Sequence, residues 1–404
     1  MQLPRLSISV AMVCALLAVS QLRASDENPK EDAVERSTVA FVYVSSIPKG
    51  SSVPQVVALA LEQDGRLHPV PGSPYPEALG AMAVNGSSLM GADWNKGDID
   101  TYRIEWNGSL TRLGATDYAK YNNPGGTECG AAGQLTLDHT GSDLYVQEYN
   151  GSNACANTVI ASFGVPKPAG DLNYLATDVT GVFPGVWDAP SFIGNNTLAY
   201  VAENDACMYW SIYGFQRSSN GSLNSFNFNY SLPTPGPGFR TYIPYLTAAD
   251  PTNHLAMTVA PANPPGCTGG PLQLATFTVD AKGNLTTTST YQNMPVTHIV
   301  TPYDLKMSPS GMLLAVAGQE GLQVFHYNGA NPITHYTALL TSDPVNQMFW
   351  DNDNHLYAIS TKTGKLRVYT ITPTSMKENP GSPYNISAPQ YLTVQPWPLP
   401  WDKN

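Results

Sequence analysis

Charged residues are scarce in this 404-residue chain. Asp, Glu, Lys and Arg together make up 13% of it, and the 31 acidic residues outnumber the 20 basic ones. A mainly helical protein needs far more Glu, Lys and Arg. A nucleic-acid-binding surface needs clustered Lys and Arg, and the chain has no basic run. The composition therefore argues against both classes, and we expect no nucleic-acid partner.

Cysteine is also scarce. One of the five cysteines, Cys14, falls in an apolar run near the N-terminus, which leaves Cys129, Cys155, Cys207 and Cys267. An even number of cysteines in an exported chain predicts disulfides, and no CxxC or Cys/His spacing indicates a metal site. Four buried free thiols are the alternative.

The apolar run near the N-terminus is short. MQLPR supplies one positive charge, SISVAMVCALLAVS is too short to span a bilayer comfortably, and a small-residue cleavage position lies near Ala24. We interpret residues 1–24 as a secretory signal peptide and the charged, patternless residues 25–38 as a flexible leader. An uncleaved anchor helix is the alternative. After cleavage no transmembrane segment is expected, so the protein is predicted to be secreted or periplasmic.

Turn and strand formers are abundant instead, with 34 Gly, 34 Pro and 22 Tyr. Short apolar strands recur at spacings of about 43 to 58 residues, the range of a four-stranded propeller blade with its loops. They are FVYVSS from Phe41, LMGADW from Leu89, LYVQEY from Leu144, LAYVAE from Leu198, LAMTVA from Leu255, LLAVAG from Leu313 and LYAIST from Leu356. A strand with a tight polar turn precedes most of them, and a third strand and a more polar, variable fourth strand follow, so each unit is predicted to hold four antiparallel strands.

The two ends of the chain complement each other. Residues 39–76 hold only the second, third and fourth strands of a unit, while QYLTVQPW, residues 390–397, is a strand without a partner. The phrase PGSPY closes both the first and the last unit, at residues 71–75 and 380–384. We predict that the C-terminal strand supplies the missing inner strand of the first unit. This gives an all-β, seven-bladed β-propeller of four-stranded antiparallel blades in residues 39–404, as one monomeric domain; a tandem of β-sandwiches is the alternative.

One turn has the form SPxGxxLxV, seen as SPSGMLLAV in residues 308–316. Together with the repeated GSPY phrase, this form resembles the YVTN-repeat and lactonase-like seven-bladed β-propellers, which include 6-phosphogluconolactonase and carboxymuconate cyclase relatives. The resemblance covers residues 39–397 and implies the propeller fold, with lactonase-type hydrolysis as the family activity. Because propellers host many chemistries, the fold alone does not establish the activity.

The lactonase members carry a Pro-Arg-His element where an inner strand begins and an Asn-Glu pair after the following strand. At the position of the Pro-Arg-His element this chain reads Pro302-Tyr303-Asp304, and the start of another inner strand reads Gly130-Ala131-Ala132. Neither retains Arg-His. The Asn-Glu pair is partly matched by Glu148 and by Glu203-Asn204. The resemblance therefore leaves open whether this chain is a hydrolase.

Loops that join second to third strands, and loops between blades, are predicted to lie on one face around the channel mouth, here called the mouth face. A concave mouth is the usual place for a ligand, and carboxylates beside aromatic rings suit sugars and lactones. The catalytic candidates are Glu148, Glu203 and His298, and the ligand-binding candidates are Asp93, Trp94, Tyr149, Asn204, Arg240, Tyr303 and Asp304. Alternatively, the acids cap turns or face solvent, and His298 is a structural hydrogen-bonding residue.

Crowded carboxylates at the mouth could also bind a divalent cation. The chain has no calcium-loop motif, however, and neither a cofactor nor a metal site is assigned.

Two functions are consistent with these residues. One is an exported lactonase-like propeller that binds, and could hydrolyse, a small lactone or sugar-derived ligand. The other is a non-catalytic cell-envelope scaffold for a glycan or a protein. Export argues against 6-phosphogluconolactone, which is a cytoplasmic metabolite.

The four remaining cysteines fall in loops of the mouth face. We predict that Cys129 pairs with Cys155 and Cys207 with Cys267, while a Cys155–Cys207 pair stays open because connectivity does not follow from sequence. Mass mapping of nonreduced peptides from the secreted protein should recover two cross-linked pairs. Four free thiols would contradict the disulfides and weaken the case for export.

Overall fold

The computed structural model describes residues 38–118, 120–121, 131–149, 159–167, 170–179, 186–187, 189–205, 209–264 and 270–396. The regular elements in these ranges are strands. Across the same ranges, no helix has the length and apolar character needed to cross a membrane. The predicted signal peptide, the leader up to residue 37 and all five cysteines lie outside the described residues.

The strands form seven antiparallel sheets, numbered here as blades 1 to 7 in chain order. Blade 1 contains β1 (Thr38–Ser46), β2 (Gln55–Glu62) and β3 (Leu67–Pro69). Blade 2 contains β4 (Leu79–Val84), β5 (Ser88–Asp93), β6 (Asp98–Ile104) and β7 (Leu110–Asp117). Blade 3 contains β8 (Ala131–Leu137), β9 (Asp143–Tyr149), β10 (Val159–Gly164) and β11 (Asn173–Val179).

The other blades follow the same plan, with the inner strand first. Blade 4 contains β12 (Val186–Trp187), β13 (Ser191–Phe192), β14 (Leu198–Asp205), β15 (Tyr209–Arg217) and β16 (Leu223–Phe226). Blade 5 contains β17 (Thr241–Ala249), β18 (His254–Ala262), β19 (Gln273–Val279) and β20 (Leu285–Thr286). Blade 6 contains β21 (Pro302–Met307), β22 (Leu313–Gly318), β23 (Gly321–Asn328) and β24 (Asn331–His335). Blade 7 contains β25 (Gln347–Trp350), β26 (His355–Ser360), β27 (Lys365–Thr372), β28 (Ser375–Glu378) and β29 (Tyr384–Asn385).

The C-terminal strand closes the ring. This strand, β30 (Pro389–Pro396), pairs antiparallel with β1, and Val42 lies opposite Val394 in their register. Blade 1 therefore takes its inner strand from the end of the chain and its other strands from the beginning. The predicted seven-bladed all-β propeller, and its closure by the C-terminal strand, are confirmed.

Polar residues at the ends of inner strands hold the turns into the second strands. Asp138 Oδ1 accepts a hydrogen bond from the backbone N–H of Ser142 at 2.8 Å, and Asp351 Oδ1 accepts one from the N–H of Asp353 at 2.9 Å. In the SPSG turn, Ser308 Oγ takes this place and accepts from Leu313 N–H at 3.0 Å. The repeated turn signal in the sequence is thus a polar anchor, Asp or Ser, whose side chain accepts hydrogen bonds from the backbone of the following turn.

The two PGSPY phrases adopt the same local structure. Ser73 Oγ accepts a hydrogen bond from the β2 backbone at 2.9 Å, and Ser382 Oγ accepts one from the β27 backbone at 3.1 Å. Both phrases contain a cis Ser-Pro bond. The hydroxyl of Tyr384 also accepts a hydrogen bond from Leu67 N–H at 2.9 Å. The phrase in blade 7 therefore contacts blade 1, as expected for neighbours at the ring closure.

Tyrosine hydroxyls tie neighbouring blades together. Each belongs to a second strand and donates to a glycine carbonyl in the turn between the third and fourth strands of the next blade. The donors are Tyr43, Tyr145 and Tyr200, and the acceptors, in the same order, are Gly108, Gly221 and Gly283, all at 2.8 Å. The three glycines have φ of 80°, 91° and 82°, a region that residues with a Cβ avoid. The tyrosine of the repeated strand thus forms a hydrogen bond with the turn of the adjacent blade.

Apolar side chains fill the seams between blades. In the seam between blades 3 and 4, Tyr145 and Ile160 from one blade pack with Val201, Phe215 and Leu223 from the other. In the preceding seam, Leu144 and Val146 of β9 pack with residues of blade 2. Alternate residues of a strand therefore serve opposite seams, as the two-residue period of a β-strand requires.

Replacing Gly108 by Ala should destabilise the fold more than the same change at Gly97. Both residues have positive φ, at 80° and 75°. A methyl group at Gly97 meets nothing within 4 Å, whereas one at Gly108 collides with the ring of Phe41 in blade 1. We expect Gly97→Ala to cost about 1 kcal/mol for the backbone alone, and Gly108→Ala about 2–4 kcal/mol. Urea denaturation measures both, and equal losses would contradict the seam contact.

Candidate functional site

The inner strands carry β-bulges near their mouth-face ends. In β4, β8, β17 and β21 the pairing register shifts at equivalent places, between Leu79 and Met82, Ala132 and Gln134, Pro244 and Leu246, and Pro302 and Asp304. A bulge leaves one residue unpaired and re-aims nearby side chains, and bulges are frequent beside functional sites. The bulged residue of β21 is Tyr303, which is 42% exposed. This predicted ligand-binding residue is therefore presented by the backbone irregularity.

Asp93, at the end of β5, anchors a turn. Its Oδ1 accepts hydrogen bonds from the N–H groups of Asn95 (2.8 Å) and Lys96 (3.0 Å), and Lys96 Nζ lies 2.9 Å from Oδ2. Burial opposes ionisation of this carboxyl, but the hydrogen bonds from Lys96 and Asn95 outweigh it and lower its pKa. The described contacts of Asp93 agree with the turn-capping alternative.

Trp94 follows Asp93 and is 51% exposed. Its ring lies over the inner strand β4, where a Cβ on Gly80 would come 3.5 Å from Trp94 Cε3 and 3.8 Å from the ring of Tyr391 in β30. These are ordinary van der Waals distances, so aromatic rings from two blades pack against the main chain at Gly80. An exposed indole at this position can stack on a sugar or lactone ring.

Asp304 joins two inner strands. Only 5% of the residue is exposed. Its Oδ2 accepts a hydrogen bond from Met348 N–H in β25 at 2.7 Å, and Lys306 Nζ lies 3.1 Å from Oδ1. The carboxylate thus holds blade 6 to blade 7 at the channel wall. Sequence position placed Asp304 at the mouth, but could not show that its oxygens are already occupied.

His298 precedes β21 and is exposed. Its backbone N–H donates to Gln323 Oε1 at 3.0 Å, which fixes the main chain beneath the imidazole. The nearby Glu320 Oε2 accepts from Val300 N–H at 2.8 Å and Thr301 N–H at 3.2 Å, so the segment from 298 to 301 is held by side chains of blade 6. The ring of His298 is accessible to a ligand or proton acceptor.

Glu203 lies in β14, at the mouth-face end of blade 4, and is only 6% exposed. The side chain of Tyr213 in β15 hydrogen-bonds to it. Burial, this hydrogen bond and the nearby negative charge raise the pKa of Tyr213 to about 12. Tyr213 therefore stays protonated at neutral pH and donates to Glu203. Sequence reasoning selected Glu203 but missed Tyr213, which looks like an ordinary aromatic strand residue.

The remaining candidates are described only in part. Glu148 and Tyr149 end β9, and Asn204 lies in β14 opposite Val186, but their side chains lie outside the described residues. Arg240 is exposed, and its backbone N–H donates to Ala262 O at 3.0 Å. Within the described ranges, no group of three or more His, Cys, Asp and Glu residues is arranged to hold a metal ion.

A cavity of about 780 Å³ occupies the channel towards the face opposite the mouth. All seven inner strands contribute to its described lining, which includes Val84, Gln134, Ser191, Lys306, Gln347 and Thr393. Residues of the turns after the inner strands, such as His139 and Asn352, surround its outer end. Among its described lining residues none is a predicted site residue. The cavity and the mouth-face candidates therefore define two ends of one channel.

The closed ring of seven antiparallel sheets defines the chain as a seven-bladed β-propeller. Periplasmic gluconolactonase PpgL of Pseudomonas aeruginosa is similar, with a TM-score of 0.61 and 16% identity, over 90% of this chain and 100% of that chain. A provisionally assigned 6-phosphogluconolactonase of Bacteroides fragilis matches with a TM-score of 0.59 and 14% identity, over 88% and 98% of the two chains. A protein of Lactobacillus plantarum matches with a TM-score of 0.61 and 13% identity, over 88% and 99%.

No protein-family model matches the chain, and no curated protein matches it. At these identities the structural likeness establishes the fold. It confirms the resemblance to lactonase-like seven-bladed propellers that the SPSG and GSPY forms indicated.

Removing the carboxylate of Asp304 should loosen the seam between blades 6 and 7. Asp304→Leu leaves Met348 N–H buried without an acceptor, so we expect a loss of about 2–3 kcal/mol in the free energy of unfolding. Asp304→Asn keeps an acceptor oxygen and should lose less than about 1 kcal/mol. Urea denaturation of both variants tests this, and a harmless Asp304→Leu would show that the hydrogen bond to Met348 is dispensable.

Proposed function

We propose that the protein is an exported lactonase-like β-propeller that binds a small, unphosphorylated lactone or sugar-derived ligand at the mouth face and hydrolyses it. The observation that carries this proposal is the buried Glu203, held by the phenol of Tyr213 at the mouth-face end of β14. A buried carboxylate with a fixed donor is oriented before a ligand arrives, which is what an efficient base or hydroxyl acceptor needs.

The proposed chemistry is general-base hydrolysis of an ester bond. Glu203 takes a proton from water, the resulting hydroxide equivalent attacks the lactone carbonyl, and the ring C–O bond breaks to give a hydroxy acid. The ring oxygen leaves as a hydroxyl and takes a proton, for which His298 and Glu148 are the proposed donors. Trp94 and Tyr303 are the proposed stacking surfaces for the ligand ring, because both are exposed.

Similarity to PpgL supports the proposal in two respects. That protein is a periplasmic gluconolactonase, and its whole length matches this chain. The N-terminal apolar segment of the present chain is also typical of export. An exported enzyme meets unphosphorylated lactones, so we propose this class of substrate and a periplasmic or secreted location.

The alternative is a non-catalytic envelope scaffold that uses the same face for a glycan or a protein. The position of the family's Pro-Arg-His element favours it, because Pro302-Tyr303-Asp304 occupies that position here and the Asp304 carboxylate is committed to the seam between blades 6 and 7. Binding without turnover distinguishes this alternative from the enzyme.

Hydrolysis should depend on the three catalytic candidates. We expect the purified protein to hydrolyse members of a panel of unphosphorylated lactones, and the Glu148→Ala, Glu203→Ala, His298→Ala triple variant to lose on the order of 100-fold or more in kcat/KM. The matched control replaces Glu62, His68 and Glu105, which lie in blades 1 and 2 away from the mouth face, by alanine and should retain activity.

Circular dichroism and thermal unfolding of both triple variants verify that they fold. Turnover no faster than spontaneous ring opening would remove the enzymatic proposal. Equal activity of wild type and the triple variant would show that the three assigned residues are not catalytic, while the proposed activity would stand.

A further inference from the structure

Gln147 in β9 is a buried polar side chain that has no partner among the described residues. It is 2% exposed, and within the described part of the chain neither its Oε1 nor its Nε2 makes a hydrogen bond. Burying an unpaired amide costs about 1–3 kcal/mol. Such groups are rare in native proteins and call for a physical explanation, such as a bound molecule or a functional role.

The fold satisfies other buried glutamines. Gln273 Oε1 accepts from the hydroxyl of Tyr242 at 2.8 Å, and its Nε2 donates to Met294 O at 3.1 Å. Gln323 Oε1 accepts from His298 N–H at 3.0 Å, and its Nε2 donates to Thr337 O at 2.9 Å. Gln147 is therefore an exception among the buried glutamines that the structure describes.

The period of β9 shows where Gln147 faces. Val146 packs towards blade 2, whereas Tyr145 reaches blade 4 and donates to Gly221 O. Gln147 lies two residues beyond Tyr145, on the same side of the strand, and so faces blade 4. It stands nearer the mouth face than Tyr145, because β9 runs towards that face.

Glu203 faces the same seam from the other blade. Val201 of β14 packs with Tyr145 in this seam, and Glu203 lies two residues further towards the mouth. Gln147 and Glu203 therefore project from facing sheets at corresponding levels. The seam is apolar towards the face opposite the mouth and polar at its mouth-face end.

This polar end of the seam continues to the channel. Gln134 in β8 lies directly opposite Gln147, immediately after the β-bulge, and contributes to the wall of the channel cavity. Residues opposite each other in an antiparallel pair share one face of the sheet. Gln134, Gln147 and Glu203 thus form a polar line from the channel to the seam between blades 3 and 4.

We propose that the seam between blades 3 and 4 is a recognition site for a polyhydroxylated ligand, with Gln147 as its specificity-determining residue. The amide donates one hydrogen bond and accepts another, which matches the adjacent hydroxyls of a sugar-derived lactone, while the Glu203 carboxylate accepts a hydroxyl proton. This inference rests on the proposed function and adds the substrate class: hydroxylated lactones in preference to plain ones. The hydroxyls of the ligand supply the hydrogen-bond partners that the described residues do not provide for Gln147.

Gln147→Leu separates recognition from stability. Calorimetry with D-glucono-1,5-lactone and with δ-valerolactone gives the affinity for a hydroxylated and an unhydroxylated ring. It is done at a mildly acidic pH where spontaneous ring opening is slow, and in a Glu148→Ala, His298→Ala background, which lacks the proposed proton donors and so turns over slowly. We expect Gln147→Leu to weaken binding of the first on the order of tenfold or more and to leave the second unchanged, because only the first pairs with the amide.

Gln273→Leu is the control for stability, since it removes a buried amide that is hydrogen-bonded. It should lower the midpoint of urea unfolding, whereas Gln147→Leu should leave the midpoint unchanged or raise it. Gln147→Met, which is unbranched and of similar length, repeats the test if the branched leucine packs poorly.

Unchanged affinity for D-glucono-1,5-lactone in Gln147→Leu would overturn the inference and indicate a buried water beside the amide. A loss of stability as large as that of Gln273→Leu would overturn it too, because Gln147 would then be paired within the fold. If Glu203→Gln abolishes binding while Gln147→Leu retains it, the proposed function stands and the inference fails. If the wild-type protein binds neither lactone, both fail.

Discussion

Each blade of this propeller depends on its neighbours, because a single four-stranded sheet leaves both of its faces uncovered. The seams supply the missing cover with apolar side chains, and the hydrogen bonds from Tyr43, Tyr145 and Tyr200 to glycine carbonyls fix how one blade meets the next. A tyrosine hydroxyl buried at a seam needs an acceptor, and a turn glycine can bring its carbonyl close only because it has no side chain. The packing of each blade and the turn of the next are therefore one constraint.

A ring built in this way must be closed, since an open ring would expose two sheet faces and a strand edge. The pairing of β30 with β1 meets this requirement, and the contact of Tyr384 with Leu67 extends it to the outer strands. The repeated PGSPY phrase thus stands at the one place where the two chain ends form neighbouring units.

The fold could be predicted from sequence because its signals repeat. The turn after each inner strand needs a short polar anchor, and the second strand needs alternating apolar residues, so several copies reinforce one another. The site offered no such repetition. Asp93, Asp304 and Glu203 look alike as acids near the mouth face, yet their surroundings differ: a turn for Asp93, a seam for Asp304 and a tyrosine hydroxyl for Glu203. Only side-chain contacts separate these environments, and they depend on residues distant in sequence.

The environment of Gln147 also depends on residues that are distant in sequence. In LYVQEY it looks like an ordinary polar residue near the end of a strand, because a single polar residue after an apolar run is common. Its position two residues beyond Tyr145 was the available signal, since Tyr145 faces a seam and strand period then places the glutamine in that seam as well. A seam position normally selects an apolar side chain, as at Val201. A glutamine there destabilises the fold, because no described residue forms a hydrogen bond with its amide. Side chains that the fold leaves unpaired mark places where stability and binding make different demands on one residue.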